Sequence, residues 1–71
     1  MMHICVSRIR TYMAARQWTN RALARCTGIP ESTLSAILIR GTCKPVTAAR
    51  IATCFGVEVQ DILAPSERKG D

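Results

Sequence analysis

With 71 residues the chain can hold one small domain, since below about 80 residues a single core leaves only a few kcal/mol of net stability. Ten Lys and Arg against five Asp and Glu give a formal charge of +5 and a pI near 9.6, which favours a polyanionic partner through long-range attraction and counterion release. No apolar run approaches a membrane span, His3 is the single histidine, and neither a base-and-nucleophile pair nor a Gly-rich phosphate loop is visible, so no enzyme, membrane anchor or cofactor is expected.

The chain opens on a short apolar run, His3-Ile4-Cys5-Val6, that fits an extended arm or an early helical turn. A first helix is expected from Val6 or Ser7 to Arg16, because Val6, Ile9, Tyr12 and Met13 recur at three-to-four spacing. Arg8 and Arg10 fall on its opposite face, where solvated charge is the ordinary reading. The next helix starts at about Asn20: Thr19 can cap it, Trp18 and Leu23 have the spacing of a hydrophobic staple, and Leu23, Ala24 and Thr27 share one side. It stops at Gly28, where the chain must turn sharply. Pro30 then presets the backbone for a third helix with Glu31 in its first turn, suited to the positive end of the helix dipole. Leu34, Ile37 and Leu38 share its inner side, while Ser32, Ser35, Ala36 and Ile39 share the other.

Residues 39–46 break the periodicity with Gly41 and Pro45 and read as a loop. Thr47 is the expected cap of a fourth helix to Phe55, burying Ile51, Ala52 and Phe55 and stopping at Gly56. A last helix is expected from Val59 to Leu63, ended by Pro65, with residues 66–71 a polar tail that has nothing to bury and is expected to be disordered. The reading is therefore an all-α compact bundle of about five short helices in one domain, 1–64, with a tail at 65–71.

Four cysteines would suggest disulfides in a secreted chain of this size, but the start of the sequence is not a basic segment followed by an apolar core, so the reducing cytoplasm is the expected compartment. Three of the four then serve as small core hydrophobes, with Cys43 in a loop where it can be exposed. No C-x-x-C spacing occurs and His3 lacks a histidine companion, so no metal site is expected.

Asn20 at the head of one helix, Leu23-Ala24 within it, Gly28 in the turn, Ile29 after it, then Ser32-Thr33-Leu34-Ser35 and Ile37, together with the Gly41-to-Pro45 spacing, resemble the Cro/C1-type, phage lambda repressor-like helix-turn-helix family over roughly residues 6 to 63. Two positions depart from its pattern: Met13 stands where many members carry arginine, and Leu38-Ile39 stand where relatives often place a polar residue. The resemblance implies a helix from about Pro30 to Ile39 lying in the DNA major groove, with Glu31, Ser32, Ser35, Ala36 and Ile39 toward base edges. It also implies Asn20, Thr33, Arg40, Thr42 and Lys44 on the phosphate backbone, and dimer contacts through the N-terminal segment or the last helix. For Glu31 the competing reading is plain dipole stabilisation, and for Thr33 a bond to its own helix backbone.

The function expected is a sequence-specific DNA-binding transcriptional regulator, a small repressor or Cro-like protein that binds double-stranded operator DNA as a homodimer. The alternative is an antitoxin or adaptor that uses the same fold as an interaction module, a toxin or other protein partner covering Ile39, Val59 or the N-terminal run. A recombination accessory factor would share the DNA chemistry.

Overall fold

The computed structural model describes residues 1–67, and its elements follow from a few local rules. Four helices run Val6–Ala15 (α1), Asn20–Thr27 (α2), Glu31–Arg40 (α3) and Pro45–Phe55 (α4), with two-residue strands Met2–His3 (β1) and Thr42–Cys43 (β2) and 3-10 turns at Val59–Ile62 and Pro65–Glu67. Thr19 caps α2 as expected, its hydroxyl accepting from the Ala22 N–H at 3.3 Å. Gly28 ends that helix at φ +75°, a left-handed conformation that costs glycine nothing and other residues a Cβ clash.

Ile9, Leu23, Leu34, Ile51 and Ile62, one from each helix and one from the following 3-10 turn, are fully buried together. Around this centre α2 packs on both α3 and α4, and α4 packs on Val59–Ile62. Trp18 stacks on Phe55 with ring centroids 5.5 Å apart, which ties the loop before α2 to the end of α4. Arg16 lies over the rings of Tyr12, Trp18 and Phe55, and its Nη2 donates to the Phe55 carbonyl at 2.7 Å, placing a cation on the last carbonyls of α4.

The N-terminal run is the extended arm of the two alternatives, and its backbone is used within the chain. Met2 and His3 pair antiparallel with Cys43 and Thr42, Ile4 bridges Leu63, and the Cys5 N–H donates to the Ile62 carbonyl at 2.7 Å. The segment expected as a loop over 39–46 is therefore largely regular. α3 runs on to Arg40, Gly41 turns at φ +75°, and β2 follows.

Helix α4 begins at Pro45, not after Thr47, with Lys44 at its cap position. Proline at the first helical position has no N–H to leave unpaired, and the first helical bond already runs from the Ala48 N–H to the Lys44 carbonyl at 3.0 Å. The expected last helix is one 3-10 turn, closed by a reciprocal Glu58–Asp61 capping box and ended where Leu63 turns extended to meet Ile4. Ile62 and Leu63 are buried, and Val59 is half-buried against the same core, so the apolar residues offered for dimer contact are spent inside the chain.

The cysteine assignment is reversed. Cys43 is 2% exposed inside β2, not in an open loop, because the pairing with Met2 turns it into the core. Cys26, on the exposed side of α2, and half-buried Cys54 on α4 are joined in a disulfide across a Cα separation of 6.0 Å, the usual span for such a bridge. Contact between those two helices, which no local pattern reveals, brings them together.

Of the tail expected to be disordered, Pro65–Glu67 forms a 3-10 turn, and residues 68–71 lie outside the described residues. The His3 N–H donates to Glu67 Oε2 at 2.8 Å and the ring Nδ1 lies 3.2 Å from the same oxygen, which holds the Glu67 carboxyl below its usual range. A depressed carboxyl stabilises the fold above its unfolded-state pKa of about 4.3 and loses that contribution as pH falls through the lower folded value. Between about pH 5 and pH 3 the wild-type melting temperature should therefore fall further than that of Glu67→Gln, as circular dichroism melts would read.

Candidate nucleic-acid interface

Helix α3 divides along its length. Leu34, Ile37 and Leu38 are 0%, 4% and 3% exposed, which fixes the helix on the core by one stripe. Glu31, Ser32, Thr33, Ala36, Ile39 and Arg40 are exposed and Ser35 is half-buried, so the outward face is built from short side chains with one large apolar residue, Ile39, at 83%. Ten residues give this face a length of about 15 Å, comparable with the width of a B-DNA major groove at about 12 Å.

At the N-terminal end of α3 the first turn of α2 is drawn alongside. Asn20 Nδ2 reaches Ser35 Oγ at 3.5 Å, the outer limit of a hydrogen bond, and Arg21 Nε lies 3.8 Å from Glu31 Oε1 with both side chains largely exposed. Such an exposed pair adds at most ~1 kcal/mol to stability, so its importance lies in placing a cation beside the acid. Arg10, Thr19 and Asn20 line a single groove at the head of α2, which brings α1 to the same edge.

Near the other end, Thr33, Arg40 and Lys44 line a second groove together with Thr47. Its two cations and two hydroxyls come from α3 and the start of α4. Thr42 does not belong to this groove; it is half-buried in β2 opposite His3. Of the ten residues singled out by sequence, nine therefore lie on α3 or on the groove and α2 edges beside it, and Thr42 stands apart.

Arg10 and Arg21 are the additions. Arg21 carried a local signal, since it puts a positive charge in the first turn of α2, where the helix dipole disfavours it and the turn itself holds no acidic residue. Arg10 carried none, because its placement depends on how α1 crosses the head of α2. Arg16 is positioned by its three rings and the Phe55 carbonyl, and Arg8 Nη1 donates to the Asp61 carbonyl at 3.2 Å; both are held on other faces by the fold itself.

Two short helices, α2 and α3, joined through Gly28 and packed so that the second presents a polar face flanked by cations, define a helix-turn-helix DNA-binding domain. The chain belongs to the Cro/C1-type HTH DNA-binding domain family, whose model matches residues 8–67. No curated protein and no solved structure matches the chain. Among the described residues no helix is long and apolar enough to cross a membrane.

Proposed function

We propose that the protein is a sequence-specific transcriptional regulator of the small repressor or Cro-like kind, which binds a near-palindromic operator as a homodimer and works in the cytoplasm at the nucleoid. The observation that carries this reading is the outward face of α3, where exposed Ser32, Ala36 and Ile39 stand with half-buried Ser35 between phosphate-seeking groups. Serine hydroxyls can donate to or accept from base edges, and Ala36 and Ile39 suit thymine methyls. Asn20, Arg10 and Arg21 hold one phosphate run, and Thr33, Arg40 and Lys44 hold the other.

Glu31 enters by exchange. Free, it faces Arg21 at 3.8 Å. When a phosphate draws Arg21 away, the carboxylate is released to accept from a cytosine amino group. With no Arg on the outward face of α3 before Arg40, one protomer makes few strong base contacts, so DNA shape and the spacing of two half-sites supply the rest of the selectivity.

The protein-partner reading is weaker than the sequence suggests. Of the surfaces offered for such a contact, Val59 packs against the core and the N-terminal run pairs within the chain, leaving Ile39 with Val46 as the large exposed apolar residues of α3 and α4.

The test is gel retardation of DNA flanking the protein's own gene, wild type beside a Ser32→Ala, Ser35→Ala double variant, with stoichiometry read from the saturation point. With two serines lost in each of two half-sites, at about 1 kcal/mol per lost hydrogen bond, the variant should lose on the order of 1,000-fold in affinity for that DNA while binding random duplex unchanged. Equal, weak binding of both proteins to every fragment would refute operator reading.

A further inference from the structure

We infer that Cys26 and Cys54 form a reversible thiol–disulfide pair through which the redox state of the surroundings sets the stability of this domain. The bond joins the C-terminal part of α2 to the C-terminal part of α4, across a sequence separation of 28 residues. It lies at the rim of an open groove of about 300 Å³ lined by Cys26, Thr27, Ala49, Arg50, Thr53 and Cys54, so small oxidants and reductants can reach it. Cys26 is exposed and Cys54 half-buried, which distinguishes the pair from Cys43, enclosed in the core. Arg50 lines the same groove and Arg25 sits in the last turn of α2 next to Cys26; cations around a thiol favour the thiolate that does the chemistry.

The inference rests on the DNA reading in one respect. A domain that works on DNA works beside the cell's reducing thiol pool, where exposed disulfides are transient and serve as sensors rather than as permanent braces. The chemistry is a two-electron exchange with a hydroperoxide. The more accessible Cys26 thiolate attacks a peroxide oxygen, an S–O bond forms as the O–O bond breaks, and the departing alkoxide takes a proton and leaves as alcohol, or as water from hydrogen peroxide. The Cys54 thiolate then attacks the Cys26 sulfur, the S–S bond forms, and hydroxide departs and is protonated to water. Two equivalents of glutathione reduce the disulfide back to the two thiols, the first making a mixed disulfide and the second releasing glutathione disulfide.

The mechanical consequence falls on α2, half of the helix-turn-helix. With the bond closed, α2 is held to α4 by a covalent link as well as by Leu23 and Ala24 in the core. With it open, the unfolded chain regains the freedom of the closed loop, and in so small a domain the melting temperature should drop by more than about 10 °C.

The experiment equilibrates the whole protein in glutathione buffers of graded ratio, traps thiols by alkylation, counts and locates them by mass spectrometry, and records a thermal melt at each ratio. The expected result is that the Cys26 and Cys54 thiols appear together within the range of those buffers and that the melting temperature falls in step. A Cys26→Ser, Cys54→Ser variant should melt like the reduced wild type and ignore hydrogen peroxide. Thiols that never pair, a bond that excess glutathione leaves closed, or equal melting temperatures in both states would overturn the inference. So would a double-serine variant that still responds to reductant, since the effect would then belong to Cys5 or Cys43. The wild-type titration and melts decide the matter even if the variant fails to fold. Retardation of duplex DNA by both redox states, below the reduced melting point, separates the two claims: absence of DNA binding in either state defeats the DNA reading and leaves the redox pair standing.

Discussion

Replacing Leu34 by alanine is expected to leave the domain largely unfolded at physiological temperature, whereas Ile39→Ala, five residues along the same helix, leaves its melting temperature nearly unchanged. Leu34 is 0% exposed and stands with Ile9, Leu23, Ile51 and Ile62 at the centre of the core, while Ile39 is 83% exposed. Truncating a buried leucine costs about 2–5 kcal/mol through lost transfer energy and the cavity left behind. A domain of this size has net stability of the same order, so that loss takes most or all of it. The apolar surface of Ile39 is already in water, so its removal forfeits little burial. Chemical denaturation of the two variants side by side checks the claim; comparable losses in both would mean that the two faces of α3 are wrongly divided.

The second large effect is electrostatic. An Arg40→Gln, Lys44→Gln double variant should bind duplex DNA of any sequence more weakly, with the slope of log affinity against log salt reduced by about 2 for each bound protomer, one unit for each phosphate contact removed. At about 0.1 M salt each released counterion is worth roughly eightfold, so the combined loss is on the order of 60-fold for each bound protomer. Both side chains line one groove beside α3 and are exposed, so the fold should survive the change. A variant that loses affinity only for the operator and keeps the wild-type salt slope would show that these two residues read bases rather than hold the backbone. Comparing this variant with the double-serine variant separates the two kinds of contact: one removes a sequence-independent term, the other a sequence-dependent one.

Much of the helix-turn-helix was legible because its determinants are local. Thr19, Gly28, Pro30 and the Leu34-Ile37-Leu38 stripe each act within a turn or two of chain, and the bounds of α2 and the start of α3 follow from them, whereas α3 runs past the expected loop start to Arg40. What escaped the sequence depends on contacts distant in the chain. β1 exists because Gly41, Thr42 and Cys43 offer a backbone edge some forty residues away, and a two-residue strand has no period to detect. Cys26 and Cys54 become partners through the packing of α2 on α4.

The start of α4 is a different kind of miss. Thr47 and Pro45 are competing start signals, and proline prevailed because its fixed φ and missing N–H fit the first helical position two residues earlier. At the site, the periodicity of α3 separates its inner stripe from its outward face, while Arg40 and Lys44 entered only through the resemblance to the family. Arg10 needed the crossing of α1 over α2, and Thr42 was drawn away into β2.

The most direct test of the central claim, that α3 and its two flanking groups meet DNA, is a titration of isotope-labelled protein with a duplex it retards, followed by amide chemical-shift mapping. Shifts should concentrate at Asn20, Arg21, Glu31 to Ala36, Ile39, Arg40 and Lys44, leaving the Arg16–Phe55 contact and the His3–Glu67 clasp undisturbed. Shifts centred on Arg16, Phe55 or the His3–Glu67 edge, with α3 silent, would contradict it and place the nucleic-acid surface on another side of the molecule.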